Sequence, residues 1–137
     1  MSRRTVLGSI TGLSALLLAA CGQTDDGVTD QLIAAISEIP DVDSVELEIR
    51  RGAEFGVGLS GTVHISPGTG GPVDVFDEAV GAIARVAARE NGYDHLDVSS
   101  FTGRDGGEEI TVFDLDHELV PDSRVRIELL YERYGLA

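Results

Sequence analysis

The apolar residues of this chain follow the same order of spacings twice. In residues 28–66, a stretch with apolar residues three and four apart is followed by two runs in which apolar and polar residues alternate, and residues 73–115 repeat this order. The first spacing is typical of an amphipathic helix, and the alternation is typical of a half-buried strand. Each stretch therefore predicts a helix followed by a hairpin. Identity between the two stretches is low, so this is a repeat of pattern and not proof of duplication.

The first unit is expected to begin with a helix that Thr29 or Asp30 caps and that Pro40 ends. A turn at residues 51–54 joins the two strands of its hairpin. Helix and strands each have one apolar side, so each needs another element to cover that side. The apolar positions are Val28, Leu32, Ala35, Ile36 and Ile39 in the helix and Val45, Leu47, Ile49, Val57, Leu59, Val63 and Ile65 in the strands.

The second unit begins after a loop at residues 67–72. Its helix has the most regular pattern in the chain, with apolar residues lining one side from Val73 to Ala88 and with Asn91-Gly92 as the stop. A strand leading from Leu96 to Phe101, a turn at residues 103–107 and a strand over 110–115 complete the unit. The two units together predict four strands and two helices.

The tail from Pro121 to Ala137 is compatible with two structures. Val125, Ile127 and Leu129 alternate as in a strand, which would add a fifth member to the sheet. Alternatively, a helix over residues 122–135 places apolar residues on one face and ends at a glycine. We favour the helix, because the alternation does not continue beyond Leu129.

The expected fold is of the α+β class. Two helix-hairpin (αββ) units share a core by forming one four-stranded, mainly antiparallel sheet with both helices on one face, and the C-terminal helix is added to it. In the order of elements alone, this domain, predicted to span residues 28–137, resembles ferredoxin-like and BON-type modules of bacterial envelopes. No motif of a known family was found in it.

The charge of the chain excludes one large class of function. Its 24 acidic residues outnumber its 10 basic ones, all of them arginine, and the formal net charge is -14. Nucleic-acid binding needs clustered basic residues, and outside the first four residues only Arg50 and Arg51 are adjacent. We therefore expect no nucleic-acid partner. An acidic surface attracts cations and basic partners, but most simply it keeps a domain soluble.

The three histidines do not form a recognisable metal site. His95 and His117 each follow an aspartate, Asp94 and Asp116, and His64 lies within a predicted strand. Imidazole and carboxylate groups are suitable zinc ligands, but no pair here has the spacing of four residues that places two ligands on one helical face. We expect exposed histidines and no metal or other cofactor.

An acidic run near His117 is the other candidate for cation binding. It contains Asp114, Asp116, Glu118 and Asp122, but it continues into apolar residues and proline and lacks the glycine of a calcium-binding loop. A solvated connection is the expected structure. No Gly-x-Ser-x-Gly element is present either, so no catalytic residue is predicted.

The first 21 residues have the three parts of an export signal. A positive head with Arg3 and Arg4 precedes an apolar run from Val6 to Ala20, which leads directly to Cys21. An apolar run of about 15 residues is short for a membrane-spanning helix, which needs about 20, and suits a signal peptide. Residues 1–20 are therefore expected to be removed from the mature protein.

The sequence Leu18-Ala19-Ala20-Cys21 resembles the lipobox of bacterial lipoproteins, and Gly22 after it fits the same pattern. The resemblance covers the first 22 residues only. It implies that signal peptidase recognises residues 18–22, that diacylglycerol is attached to the Cys21 thiol, and that Cys21 becomes the mature N-terminus. Residues 21–27 are then expected to form a lipid-anchored polar spacer before the domain. Because Cys21 is the only cysteine, an intramolecular disulfide is excluded.

The start of the chain also resembles a twin-arginine export motif, which delivers folded cargo. Arg3 and Arg4 carry this resemblance, whereas Val6 stands where an aromatic residue is usual, so the general export route stays open. The absence of lysine, together with many Gly, Ala, Val and Asp residues, is typical of a high-GC bacterium, and with the two export motifs the chain resembles lipoproteins of the Gram-positive type.

Three functions are compatible with these features. The leading one is a non-enzymatic interaction module, anchored by lipid at the extracytoplasmic face of the cell membrane, whose partner is another envelope protein. A lipoprotein that binds a cation or small ligand through its acidic surface is the first alternative. A small hydrolase with an unrecognised site is the second.

Overall fold

The computed structural model describes residues 24–52, 56–121 and 123–136. Helix α1 spans Asp25–Ser37 and is followed by strands β1, Val42–Gly52, and β2, Gly56–Ile65. Helix α2 spans Pro72–Arg89 and precedes β3, Asp97–Asp105, and β4, Glu108–Thr111. Short 3₁₀ helices follow at Val112–Asp114, Ile127–Leu130 and Glu132–Tyr134. The predicted α+β class is confirmed.

The four strands form one mixed sheet in the order β1-β2-β3-β4. The pairs β1–β2 and β3–β4 are antiparallel, whereas β2 and β3 are parallel. The parallel pair is explained by α2, because a helix between two strands returns the chain to the end of the sheet at which the first strand began. The sheet is therefore mainly antiparallel, as predicted, with its one parallel pair at the centre.

The core lies between one face of the sheet and the two helices. Alternate residues of β2, beginning with Val57 and Leu59, are buried there, and α1 and α2 contribute their apolar sides. The rings of Phe76 in α2 and Phe101 in β3 stack with centroids 5.3 Å apart. Gly103 makes this possible, since a Cβ at that position would lie 2.7 Å from Phe76 Cδ1.

Helix α1 begins earlier than the sequence pattern suggested. Thr24 is its N-cap, and the Thr24 side chain accepts a hydrogen bond of 3.0 Å from Gly27 N. Asp25 and Asp26 occupy the first turn, where negative charge is favourable to the helix dipole. Residues 25–27, expected to be a polar spacer, therefore belong to the helix, and neither Thr29 nor Asp30 is its cap.

The last strand is shorter than expected, and the preceding strand is longer. Strand β3 continues to Asp105, so the turn is confined to Gly106 and Gly107. Strand β4 ends at Thr111, where a capping box with Asp114 starts a 3₁₀ helix. Because the capping box satisfies the backbone locally, the alternation of residues 110–115 does not extend the strand.

The predicted C-terminal α-helix is replaced by two 3₁₀ helices, preceded by a short extended segment. Val98 N donates to Val125 O and Ile127 N donates to Leu96 O, both at 2.8 Å, so this segment pairs with the start of β3. Val125 and Ile127 are fully buried, whereas Arg126 between them is exposed. Burying two alternate residues requires an extended backbone, which explains why a helix does not form there.

Candidate functional site

The face of the sheet opposite the helices carries polar side chains on all four strands; we call it the open face. Strand register aligns these side chains in rows across the sheet. Thr62 and Thr102 hydroxyls lie 3.3 Å apart, His64 Nε2 lies 3.5 Å from a Glu46 carboxylate oxygen, and Arg104 pairs with a glutamate of β4. The rows are Ser44–His64–Arg104–Glu109, Glu46–Thr62–Thr102–Thr111 and Glu48–Ser60–Ser100.

The open face is accessible in the described part of the chain. The His64 side chain is 39% exposed and that of Arg104 is 47% exposed, although both lie on inner strands. Hydroxyls, carboxylates, an imidazole and a guanidinium are all present, so this face offers both donors and acceptors. Such an exposed surface of mixed polarity is suited to binding a protein partner.

A pocket of about 320 Å³ lies at one end of the sheet. We call this the Asp25 end, because α1 starts there, β1 ends there, and the parallel strands β2 and β3 both start there. The C-terminal segment crosses the start of β3 through the bridge between Asp97 and Arg126. The residues lining the pocket are Gly56, Val57, His95, Asp97, Arg124 and Arg126.

Two carboxylates organise the groups around the pocket. Glu128 Oε1 lies 2.7 Å from His95 Nδ1 and 3.5 Å from Arg126 Nε, so it holds both groups beside the pocket. Asp97 Oδ1 accepts hydrogen bonds from Ser99 N at 2.9 Å and from Ser99 Oγ at 2.7 Å, at the bulge of β3. With Arg124 also lining the pocket, the arrangement suits an anionic oxygen ligand.

A smaller pocket of about 100 Å³ continues from the first toward the open face. The two share Asp97 as a lining residue, and Arg50, Ser60 and Ser100 line the second one. The polar groups of the open face and the arginines of the Asp25 end are thus contiguous along the start of β3.

Hydrogen bonds of Asp25, Arg51 and Tyr93 connect the beginning of α1 to the end of β1 and to the segment before β3. The Asp25 carboxylate accepts hydrogen bonds from Arg51 Nε at 2.7 Å, from Arg51 Nη2 at 2.9 Å and from Tyr93 Oη at 2.6 Å. The Arg51 guanidinium also lies 5.5 Å from the centre of the Tyr93 ring. The hydrogen bonds from Arg51 and Tyr93 hold the pKa of Asp25 below its ordinary value, whereas burial raises the pKa of Tyr93.

The three histidines singled out from the sequence lie in different places. His64 is on the open face, His95 is at the pocket, and His117 is exposed on the segment after β4. In residues 24–52, 56–121 and 123–136, no group of three or more His, Cys, Asp or Glu side chains is arranged to hold a metal ion. Asp94 instead accepts a hydrogen bond of 2.7 Å from Tyr131 Oη.

The acidic run after β4 uses its carboxylates for local turns. Asp114 Oδ2 accepts from Thr111 N and Asp116 Oδ1 accepts from Glu118 N, both at 2.9 Å. Asp122 lies outside the described residues. Two of the four acidic side chains therefore stabilise the local backbone of this connection.

The residues of the export and lipidation motifs lie outside the described part of the chain, which begins at Thr24. These are Arg3, Arg4, Leu18, Ala19, Ala20, Cys21 and Gly22. Among the described residues, no helix is both long enough and apolar enough to cross a membrane.

Sequence reasoning missed the pocket, although one signal for it was present. Arg124 and Arg126 alternate with Val125 and Ile127, so in an extended segment both arginines point to the solvent side. The helix predicted for the tail would instead place Arg124 and Arg126 on different sides, because residues two apart do not share a helical face. Their neighbour His95 is about thirty residues away in sequence, and only the crossing of the tail over β3 brings it close.

No protein-family model, no curated protein and no solved structure matches this chain. What the protein does has to follow from its own residues.

Proposed function

We propose that the protein is a bacterial lipoprotein, held at the extracytoplasmic face of the cell membrane by diacylglycerol on Cys21. The support is the order of a positive head, an apolar run and Leu18-Ala19-Ala20-Cys21-Gly22, which resembles the lipoprotein signal. Helix α1 begins four residues after Cys21, so only a short stretch of chain would join the anchor to the domain.

Within this proposal the domain acts by binding and not by catalysis. It is built from two helix-hairpin units, and its partner is another envelope protein that contacts the open face. The observation that carries this part is the open face itself. Rows of polar side chains cross the sheet, and the side chains of His64 and Arg104 remain exposed although they lie on the inner strands β2 and β3. A polar sheet face without a covering layer is available to a partner.

The lipid anchor is tested by replacing Cys21. The variant Cys21→Ser is expected to accumulate as an uncleaved precursor, because both acylation and cleavage depend on the thiol. Mass spectrometry of the protein from membranes measures both modifications, and Ser14→Ala in the apolar run is the matched control with normal processing. Normal processing of Cys21→Ser would show that the anchor assignment is wrong.

The binding function is tested by crosslinking the lipidated protein in native membranes. A double variant on the open face, His64→Ala with Arg104→Ala, is expected to lose a partner that the wild-type protein captures. Arg85→Ala on the exposed side of α2 is the control and should keep that partner. A partner captured equally by all three proteins would exclude the open face as the binding surface.

A small hydrolase is the second candidate, and one observation favours it. His95 Nδ1 lies 2.7 Å from Glu128 Oε1 at the edge of the larger pocket, and a carboxylate in this position orients an imidazole that acts as a base. Among the described residues that line that pocket there is no serine, threonine or cysteine, so the attacking group would be water. Hydrolysis of simple ester probes by the wild-type protein but not by His95→Ala would establish this function.

A further inference from the structure

The basic side chains of the described domain are concentrated at the Asp25 end. Five of the eight arginines in the described residues lie there, and His95 accompanies them. Arg51 contacts Asp25, and Arg89, at the end of α2, donates to the Gln31 side chain at 2.9 Å. The basic residues of this end are Arg50, Arg51, Arg89, His95, Arg124 and Arg126.

Carboxylates at the Asp25 end are largely matched by neighbouring donors. Asp25 is bound by Arg51 and Tyr93, and Glu128 contacts His95 and Arg126. Asp26 is exposed in the first turn of α1. The other carboxylates here are Glu48, 3.1 Å from Arg50, Glu90, 3.7 Å from Arg89, Asp94, which Tyr131 contacts, and Asp97, which binds Ser99. Seven carboxylates thus accompany five arginines and His95, so this end carries only a small part of the formal net charge of -14.

The opposite end of the sheet carries the excess negative charge. This end contains the start of β1, the end of β2, the start of α2 and the turn between β3 and β4. Two arginines lie toward this end in the described residues. Arg104 pairs with Glu109 at 3.9 Å, and Arg133 binds Asp77, one turn along α2 from Asp74, at 2.8 Å. The acidic side chains of this end are Glu38, Asp41, Asp43, Asp74, Asp105, Glu108 and Glu109. The charge of the domain is thus polarised along the strands.

The position of the anchor selects one of these two ends. Asp25 starts α1 four residues after Cys21, and a chain extends at most about 3.5 Å per residue, so Asp25 itself stays within about 14 Å of the lipid. From β1 to the C-terminal segment this end is about three strand spacings wide, or roughly 14 Å. Strand β2 has 10 residues, which separates the acidic end from it by about 33 Å.

We infer that the Asp25 end lies against the bilayer and that its pocket binds the phosphate of anionic phospholipid headgroups. This inference rests on the proposed lipid anchor. Arg124, Arg126 and His95 line the pocket and supply donors for phosphate oxygens, and guanidinium groups bind phosphate in a bidentate way. The pocket also contains the Asp97 carboxylate, which Ser99 binds, and Glu128 contacts both Arg126 and His95. An anionic surface repels the acidic end, but within a Debye length of about 10 Å it attracts the arginines. In this orientation the strands run away from the bilayer, so the membrane does not cover the open face, which stays accessible to its partner.

The test measures which end of the lipidated protein is close to the headgroups. Because Cys21 is the only cysteine and its thiol is blocked by acylation, a newly introduced cysteine is the only site for a fluorescent label. Asn91→Cys places the label at the Asp25 end and Gly107→Cys places it at the acidic end; Asn91 is exposed, and a Cβ on Gly107 meets no atom within 4 Å. Both lipidated proteins are reconstituted in vesicles containing phosphatidylglycerol and headgroup-labelled quencher lipid.

We expect several-fold stronger quenching of the label at position 91 than of the label at position 107. Replacing phosphatidylglycerol by phosphatidylcholine, or adding Arg124→Gln with Arg126→Gln, should reduce this difference. Arg85→Gln removes a charge outside both the Asp25 end and the open face; it is the control and should not reduce the difference.

Three results would overturn the inference. Equal quenching at the two positions, or stronger quenching at position 107, would exclude the orientation. Quenching at position 91 that depends on neither lipid charge nor the two arginines would exclude the phosphate pocket and leave the tether as the cause. The mass of the purified protein is measured first: an unmodified Cys21 would refute the proposed function and the inference together, whereas the other two results leave the lipoprotein assignment intact.

Discussion

Replacing Asp25 by asparagine is expected to lower the free energy of unfolding by about 1.5 kcal/mol near neutral pH. The carboxylate accepts two hydrogen bonds from Arg51 and one of 2.6 Å from Tyr93 Oη. The Arg51 side chain is 55% exposed, so solvent screens the ion pair and limits its contribution to about 0.5–1 kcal/mol. Tyr93 is 3% exposed, and the loss of a charged acceptor for its hydroxyl adds about 0.5–1 kcal/mol.

The effect of Asp25→Asn should depend on pH in one direction. The hydrogen bonds from Arg51 and Tyr93 lower the pKa of Asp25 from its ordinary 3.8. A lowered pKa means that the carboxylate stabilises the fold fully above the ordinary value and loses this contribution as the pH falls through the folded value. The difference between wild type and Asp25→Asn is therefore largest near neutral pH and shrinks below about pH 4.

Urea unfolding followed by circular dichroism measures this difference at each pH. Asp26→Asn is the matched control, because Asp26 is exposed on the same first turn and shares the interaction with the helix dipole. We expect the control to change stability by about 0.5 kcal/mol or less. Equal effects of the two substitutions, or a loss in Asp25→Asn that does not shrink in acid, would refute the role given to the Asp25 carboxylate.

Two further substitutions test the packing of the sheet and the tail, both by urea midpoints at constant m-value. Gly61→Ala should destabilise the domain by about 3 kcal/mol or more, because Gly61 has φ +147 and a Cβ there would overlap the Glu46 carbonyl oxygen. Gly58→Ala is the control, since a Cβ there meets Asp97 only at 4.0 Å, an ordinary van der Waals contact. Equal stability of the two variants would contradict this close approach. Tyr134→Phe should cost about 1 kcal/mol, because Tyr134 Oη donates to Asp77 Oδ1 at 2.6 Å; an unchanged midpoint would mean that this contact does not hold the tail.

Helix α2 shows what the local sequence pattern alone can predict. Apolar spacing predicted a helix from Val73 to Ala88, and the helix spans Pro72–Arg89. The prediction succeeds because one-sided burial of a helix is a property of a single contiguous segment. The start of α1 was misjudged because its first turn, Asp25 to Gly27, is polar; Thr24 stands before it as a capping residue, a signal that the apolar pattern does not contain.

The sequence pattern could not predict which distant segments pair with each other. The parallel neighbours β2 and β3 begin at Gly56 and Asp97, and alternation within each strand contains no information about its partner. The tail adopts an extended form because Val125 and Ile127 find buried positions beside β3, not because of local preference. The pocket depends on both pairings, which is why it was not predicted.

By itself, the sequence determined the α+β class, the kinds of elements and the large acidic excess, since these follow from residue types and from spacing within single segments. Only the tertiary structure decided where the charge lies. Arg51 and Arg126 come from distant parts of the chain, yet both lie at the end where α1 begins, while Asp41 and Asp105 lie at the other end. Net charge is a sum over residues and is independent of the fold, whereas its distribution depends on strand direction and order, which tertiary packing selects.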